Sequence, residues 1–316
     1  MRRQGMILQV STLLAVILLF GLGPFFYDNE SVLFEGMMYL ALAQGVNVLY
    51  GFTGYLPFGY VGFFGAGAYG ASLAMLDWHV SPLFGVLLGG LTAAVVGLIL
   101  SPLLRLSGAY FAIGSLAASQ IIYYIVSNPN MQSLTNGPYG IDLSSVFNDV
   151  FSYFTMFAIA LLATAFVIYL RHSNFGMSLL ALRDDPVSAS MSGIPVLRIR
   201  TLAWLVSAFM AGVVGATYGW HISVFYPNSV FNLTISIFAI VFTLFGGRAT
   251  AVGPLVGTVL LYGVYTFIGV SSPQYFQLIY GLLIVALVLF LPRGVVSLFT
   301  RIKAGTRKQG GDVLAQ

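Results

Sequence analysis

Few residues in this chain could carry out chemistry, and their spacing matches no common catalytic or metal site. The sequence contains no cysteine, which excludes disulfides, thiolate metal sites and cysteine nucleophiles. It lacks the G-x-x-x-x-G-K-[ST] loop that holds nucleoside triphosphates and the H-E-x-x-H zinc pattern. Its three histidines, His79, His172 and His221, lie far apart in sequence. We therefore expect neither catalysis nor a bound metal in this chain.

The composition places these residues in a membrane protein. Only 22 of the 316 residues are charged, 13 Lys or Arg and 9 Asp or Glu, whereas 59% are hydrophobic. A soluble enzyme needs more charge to cover its surface, and a disordered chain needs lower hydrophobicity. Long unbroken apolar runs favour helices over a barrel, because barrel strands alternate polar and apolar residues. The sequence therefore predicts an all-α polytopic membrane protein with one transmembrane domain over residues 1–316.

Ten apolar runs are candidates for transmembrane helices. The first follows Arg2 and Arg3, as the apolar core of a signal peptide would. However, it is long and has no small-residue cleavage site before Asp28, which favours a retained span. The eighth run is short, which leaves open a half-span or a re-entrant segment. The runs cover residues 6–26, 33–50, 57–76, 82–104, 108–127, 151–170, 201–220, 232–246, 251–270 and 275–291.

The charges sort to opposite sides when ten spans alternate from a cytoplasmic N-terminus. Cytoplasmic flanks of transmembrane helices carry an excess of Lys and Arg. All 13 cations then fall inside, including those of a basic tail at residues 292–316. The outer segments carry no cation, and their acids are Asp28, Glu30, Asp77, Asp142 and Asp149. Both termini are thus predicted to be cytoplasmic, and the net charge of +4 reflects orientation rather than binding to nucleic acid.

Acids within the predicted spans are scarce. Glu35 is the only acid near a span, and it lies at the outer end of the second run. Ion-coupled carriers commonly use buried acids or histidines for coupling, so this scarcity favours a pathway driven by another subunit. A Na⁺ site built from carbonyls and hydroxyls needs no acid, which leaves a self-contained ion-coupled carrier as the alternative.

Two polar connections are long enough to form structure of their own. The external loop at 128–150 contains the turn formers Asn136, Gly137, Pro138 and Gly140, and both a plain surface loop and a contact with an external partner remain open. The inner connection at 171–200 predicts two short helices. Asp185 and Pro186 are start signals and Gly193 is a stop signal. Such capping favours docking against a cytoplasmic partner over a simple bridge.

Two glycine-rich patches, residues 51–70 and 245–257, interrupt the apolar pattern toward the cytoplasmic side. Glycine and proline let a helix unwind where it lines a cavity, whereas small residues equally permit tight packing without a role in transport. Ten spans also divide into two sets of five with opposite orientation, which leaves open an inverted repeat.

Four segments occur in an order and spacing typical of one transporter family. They are ALAQGVNVLYGFTGYLPFGYVGFFGAGAYGASL, RLSGAYFAIGSLAASQII with LTNGPYGI, FGMSLLALRDDPVSASMSGI, and the run from FGGRATAVGPLVGTVL to YGLLIVALVLFLPRGVVSLF. Together they touch most of residues 41–299. The chain in this respect resembles the membrane permeases of branched-chain amino acid ABC importers, and more narrowly the M-type permease of the high-affinity leucine, isoleucine and valine uptake system.

The resemblance implies a non-catalytic translocation subunit in a bacterial inner membrane, with no cofactor of its own. Such permeases assemble with a homologous H-type permease, two cytoplasmic ATPases that bind ATP and Mg, and a periplasmic solute-binding protein.

The resemblance maps the ATPase contact to Gly176 through Gly193, within the inner connection at 171–200, which we call the coupling element. The family usually has Glu where Ser190 stands, Arg where Leu180 stands and often Glu where Pro186 stands, so the contact is expected to carry fewer charges here. Its candidate residues are Gly176, Leu179, Leu182, Arg183, Asp184, Asp185, Ser190 and Gly193.

The pathway and the external contact are expected at three places. The segment from Gly51 to Tyr69 is hypothesised to border the pathway. The family commonly has Ser at Pro57, and His or a small residue at Tyr60, so the lining is expected to be more apolar or aromatic here. The candidate pathway residues are Gly51, Gly54, Pro57, Tyr60, Gly65, Gly67, Tyr69, Gly246 and Gly247. The candidate external residues are Thr135, Gly137 and Gly140.

Overall fold

The computed structural model describes residues 11–23, 29–271, 281, 282 and 285, and this part of the chain is almost entirely helical. Its helices and strands, in chain order, are α1 (Ser11–Gly21), α2 (Glu30–Val46), α3 (Tyr60–Asp77), α4 (Pro82–Ile99), α5 (Gly108–Val126), α6 (Gln132–Thr135), β1 (Ile141–Asp142), α7 (Asp149–His172), α8 (Asn174–Asp184), α9 (Pro186–Met191), α10 (Val196–Ile222), β2 (Val224–Phe225), α11 (Pro227–Val230), α12 (Leu233–Gly246) and α13 (Val252–Ser271).

Seven helical stretches of the described chain are long and apolar enough to cross a membrane. This finding confirms the all-α polytopic membrane class. The short eighth run is extended by α11 into a full-length stretch. The seven stretches are Glu30–Gly51, Pro82–Ile99, Gly108–Val126, Asp149–His172, Val196–Ile222, Pro227–Gly246 and Val252–Gly269.

The predicted count of ten spans is not supported by the described residues. Helix α3 has 18 residues, but its four glycines and its polar side chains lower its apolarity, and it is not among the seven. The first predicted run is described only in part, as the short helix α1. The last predicted run, 275–291, lies almost wholly outside the described residues, as does the basic tail. The described residues do not show an inverted repeat either.

The centre of the bundle is formed by α3, α4 and α10, which pack closely along their lengths. Three glycines make this possible, because a Cβ on Gly67 would collide with the backbone of Gly212, and one on Gly89 or Gly212 would collide with the backbone of a neighbouring helix. Small residues that let helix backbones approach are a main source of helix association in lipid. Helix α2 then packs against α7, α10 and the α12–α13 hairpin.

The described cations lie at one end of the bundle, together with Asp184 and Asp185, and the other acids lie toward the opposite end. Three arginines contact the chain just after α2 or α4. Arg183 donates to the Gly51 carbonyl at 2.7 Å, and Arg248 donates to the Tyr50 hydroxyl at 3.1 Å. Arg200 donates to the Leu104 carbonyl at 3.1 Å. We call this the basic end. The opposite ends of α2, α3 and α7 and strand β1 carry Glu30, Asp77, Asp149 and Asp142, and we call this the acidic end.

The glycine contact between α3 and α10 generates a stability prediction. Gly67→Leu places a side chain where only backbone fits, so we expect the free energy of unfolding to fall by about 1–3 kcal/mol or more. Gly263→Leu is the matched control, because a Cβ on Gly263 of α13 has open space around it. Thermal unfolding of the purified chain in detergent measures both, and equal midpoints for the two variants would contradict this account of the core.

Candidate functional site

The coupling element forms two short, individually capped helices, as its sequence predicts. The Ser173 hydroxyl caps α8 by accepting from the Gly176 amide at 3.1 Å. Asp185 caps α9 by accepting from the Ser188 hydroxyl at 2.5 Å and the Val187 amide at 2.9 Å. These hydrogen bonds, the Ser188 hydroxyl first among them, lower the pKa of the Asp185 carboxyl. Gly193 then ends α9 with a φ of +83°, a conformation that glycine adopts readily.

The two faces of the coupling element have different environments. Leu179 and Leu182 are fully buried, and Leu179 packs with Val48, Phe52 and Leu170 against the bundle. Gly176 also lies on this side, in contact with the Leu170 carbonyl. The outward face is exposed and combines Asp184 and Ser190 with large apolar side chains at Val187, which is 68% exposed, and Met191, which is 86% exposed. The leucines therefore anchor the element, and the surface open to a partner lies mainly on α9.

Arg183 connects the coupling element to the first glycine-rich patch. Its guanidinium donates to the Gly51 carbonyl at 2.7 Å and lies 3.5 Å from the Asp184 carboxylate. Gly51 is the last residue of a π-helical turn, Asn47–Gly51, that continues α2, and Gly54 follows with a φ of +81°. π-helical turns are rare and are frequent at functional sites. Arg183 thus contacts the π-helical turn at Gly51, the first residue of the predicted pathway segment.

Two side-chain amides at the end of α2 and in the π-helical turn that continues it hold the second glycine-rich patch in place. Asn47 donates to the Thr250 carbonyl at 2.9 Å and accepts from the Ala249 amide at 2.8 Å. Gln44 donates to the Ala251 carbonyl at 2.9 Å. We call residues 247–251, between α12 and α13, the connector. The sequence analysis did not single out Gln44 and Asn47, although two amides one helical turn apart in an otherwise apolar run are a detectable signal.

The structure brings the candidate pathway residues together in two groups. One group lies at the basic end and contains Gly51, Gly54, Pro57, Gly246 and Gly247; within it Gly51 contacts Asn47 and the connector, and Gly246 contacts the backbone of Gly253. The other group lies along α3 inside the bundle. The Tyr60 hydroxyl donates to the Ser207 carbonyl at 2.9 Å, Gly65 and Tyr69 contact Phe231, and Gly67 contacts Gly212.

A large groove lies elsewhere, on the side of the bundle between α4, α7 and α10. Its volume is about 950 Å³. Thr155 is the only polar residue among those that line it, and none of the candidate pathway residues does so. Such walls suit lipid chains or an apolar helix better than a polar solute.

The external loop is folded onto the acidic end. Thr135 donates to the Val126 carbonyl at 2.8 Å and accepts from the Gly137 amide at 3.3 Å. Gly137 and Gly140 have φ values of +54° and +79°, and β1 then pairs antiparallel with β2 after α10. The hydroxyl of Ser144 donates to Asp142, and this hydrogen bond together with one from the Ser144 amide lowers the pKa of that carboxyl. The predicted turn formers therefore shape a cap over the end of the bundle.

Among the described residues, no group of three or more histidine and acidic side chains could hold a metal ion. His79 adopts a φ of +50° beside Trp78, which is exposed, and His172 is bonded to the carbonyl of its own helix. His221 lies between the Ser152 hydroxyl at 2.8 Å and the Asp149 carboxylate at 3.3 Å. The three histidines are thus separate in space as well as in sequence.

Comparisons with known proteins identify the family. A relative, the high-affinity branched-chain amino acid transport system permease protein LivM of Salmonella typhimurium, is 27% identical over 94% of this chain and 77% of its own length. LivM of Escherichia coli is 27% identical over 83% of this chain and 68% of its own length. The permease protein LivH of Salmonella typhimurium is 27% identical over 53% of this chain and 59% of its own length. The family model for the permease component of the branched-chain amino acid transport system matches residues 29–288. The chain therefore belongs to the family of permease components of branched-chain amino acid transport systems.

Proposed function

We propose that this chain is the translocation subunit of an ATP-driven importer for branched-chain amino acids or related small solutes. The observation that carries the proposal is the similarity to LivM, which extends over 94% of this chain. The chain itself is non-catalytic. ATP and Mg bind in two cytoplasmic ATPase partners, a homologous H-type permease completes the membrane part, and a periplasmic protein delivers the solute. The similarity to LivH as well as to LivM supports a pair of related permeases.

Reconstitution separates this function from that of an ion-coupled carrier. We expect proteoliposomes with the complete complex to accumulate radiolabelled leucine only when ATP is supplied on the ATPase side. The chain alone, under a Na⁺ or proton gradient, should give only background uptake, because a permease subunit has no energy source of its own. Robust uptake by the chain alone would overturn the proposal in favour of an ion-coupled carrier.

The outward face of α9 is the proposed docking surface for an ATPase subunit. Asp185 and Gly193 hold α9 in a defined position, while the exposed Val187 and Met191 offer an apolar contact area. A short amphipathic helix that fits a groove on its partner is a common recognition mode. Because Ser190 and Pro186 stand where the family often carries Glu, apolar contact is expected to contribute more here than charge.

Val187→Asp tests the docking surface. A buried unpaired carboxylate at an interface is costly, so we expect the amount of ATPase that co-purifies with the permease to fall by about tenfold or more. Val224→Asp is the matched control, since Val224 is also an exposed valine but lies in β2 at the acidic end. Quantitative co-purification from membranes measures the effect, and equal ATPase recovery from both variants would argue against docking through α9.

The basic end is proposed to face the cytoplasm of a bacterium, with ten spans and both termini inside. The positive-inside rule supports this orientation, because every described Lys or Arg lies at the basic end. Helix α3 is proposed as an additional crossing at the centre of the bundle, where small residues replace apolar ones. The proposed pathway runs along the segment from Gly51 to Tyr69, with the external loop as a contact for the periplasmic protein.

Reporter fusions test the orientation. Alkaline phosphatase fused after Ser127 should be active, because this position follows α5 at the acidic end, and a fusion after Arg183 should be inactive. Green fluorescent protein at the same positions provides the reciprocal control, since it fluoresces only on the cytoplasmic side. A cytoplasmic signal at Ser127 or an external one at Arg183 would reverse or break the proposed topology.

A further inference from the structure

Glu35 is an acid within a membrane-spanning stretch, and no cation neutralises it among the described residues. It lies in the second turn of α2, inside the apolar stretch Glu30–Gly51. One carboxylate oxygen, Oε2, accepts a hydrogen bond from the Tyr262 hydroxyl of α13 at 2.9 Å. Within the described chain Arg183 and Asp184 form an ion pair, and the Asp149–His221 contact is one only when His221 is protonated; neither contact includes Glu35. An ionisable group at such a position is costly, so it is expected to serve a function and to have a partner.

Aromatic rings form a cluster around Tyr262, the partner of this carboxylate. Tyr262 stacks with Tyr265 at a centroid distance of 5.8 Å and lies 5.5 Å from Tyr39, and Phe238 lies 4.9 Å from Tyr265 and 5.5 Å from Tyr39. Tyr39, Tyr218 and Tyr265 are all close enough to interact electrostatically with the Glu35 carboxylate. We call Glu35, Tyr39, Tyr218, Phe238, Tyr262 and Tyr265 the Glu35 cluster. It joins α2, α10, α12 and α13 near the acidic end.

The chemistry of the Glu35 cluster fits an organic ammonium group with an alkyl substituent. A carboxylate forms a charge-assisted hydrogen bond with an ammonium, and the faces of aromatic rings attract cations within about 6 Å. The same rings offer apolar surface to a branched alkyl chain. A small strongly hydrated metal ion would instead require several oxygen ligands, and the described chain places one acid here.

We propose that the Glu35 cluster is a binding site for the primary ammonium group of an amino acid at the acidic end of the pathway. This inference rests on the proposed function, since it names how the same pathway recognises its solute. Glu35 supplies the opposite charge, and the tyrosine rings hold the uncharged part of the ligand. The cluster lies at the end of the bundle that is proposed to receive the solute from outside.

The test uses the complete importer, with both permeases and both ATPases, in proteoliposomes that take up radiolabelled leucine from a loaded binding protein. Glu35→Gln removes the charge but keeps a carbonyl oxygen that accepts from Tyr262. We expect leucine uptake to fall by about tenfold or more, because a charge-assisted hydrogen bond is lost, while ATP hydrolysis stimulated by the binding protein persists. Glu30→Gln is the matched control, an exposed acid in the first turn of the same helix, and it should transport normally.

Two further variants separate ligand binding from a structural role. Glu35→Asp retains the charge and should recover part of the uptake lost in Glu35→Gln. Tyr262→Phe removes the hydrogen bond to Glu35 but keeps the carboxylate and the ring, so uptake should fall less than in Glu35→Gln. If Tyr262→Phe lost as much uptake as Glu35→Gln, the carboxylate would serve only to hold Tyr262, and the inference would be wrong.

The remaining outcomes are also decisive. Replacement of external Na⁺ and K⁺ salts by isosmotic sucrose should leave wild-type uptake unchanged. A requirement for either ion that disappears in Glu35→Gln would assign the site to an inorganic cation and overturn the inference. Equal uptake by Glu35→Gln and wild type would overturn the inference alone. A wild-type complex that hydrolyses ATP but takes up neither leucine, isoleucine nor valine would overturn the proposed transport of branched-chain amino acids, and the inference with it.

Discussion

The fold depends on the meeting of three helix backbones at Gly67, Gly89 and Gly212. In lipid, apolar side chains gain little by moving from acyl chains to a neighbouring helix, so close packing and interhelical hydrogen bonds must hold the bundle together. The glycine contacts bring the backbones near enough for both. The Tyr60 hydroxyl reaches the Ser207 carbonyl of α10 at 2.9 Å, and the Trp204 indole reaches the Gly97 carbonyl of α4 at 2.7 Å. These two hydrogen bonds pair a hydroxyl and an indole N–H across helices that have no room for larger residues.

This rigid centre leaves α2 as the element that links the coupling element to the connector. Arg183 binds the carbonyl of Gly51 at the end of the π-helical turn, and Asn47 at the start of that turn binds both Ala249 and Thr250. If docking of an ATPase on α9 displaces α8, the displacement would reach the start of α13 through one turn of helix and three hydrogen bonds. The hydrogen bonds of a π-helical turn span five residues instead of the four of an α-helix, so the regular hydrogen-bond pattern of α2 is interrupted between these two contacts.

The sequence predicts features that depend on neighbours along the chain, and it misses those that depend on neighbours in space. The helices of the coupling element and their caps at Asp185 and Gly193 were predicted correctly, since capping is decided within a few residues. Leu179 and Leu182 were expected at the ATPase contact, yet they are buried against the bundle. The contacts of Arg183 and Asn47 join residues 132 and more than 200 positions apart, which no local pattern encodes. The sequence also cannot show that α3 is buried by other helices, and a helix buried in this way does not need an apolar surface.

The separation of charge along the bundle favours one orientation of a zwitterion during passage. With the acidic end outside, as proposed, Asp77, Asp142 and Asp149 attract an ammonium group and repel a carboxylate. The ammonium therefore leads, and Glu35 is the acid that it meets inside the membrane. The arginines at the opposite end favour the carboxylate instead, so the charge pattern does not retain the solute at either end. One carboxylate among aromatic rings, with no cation beside it among the described residues, would let the proposed site orient the solute but bind it weakly enough to release it, which is what passage through a permease requires.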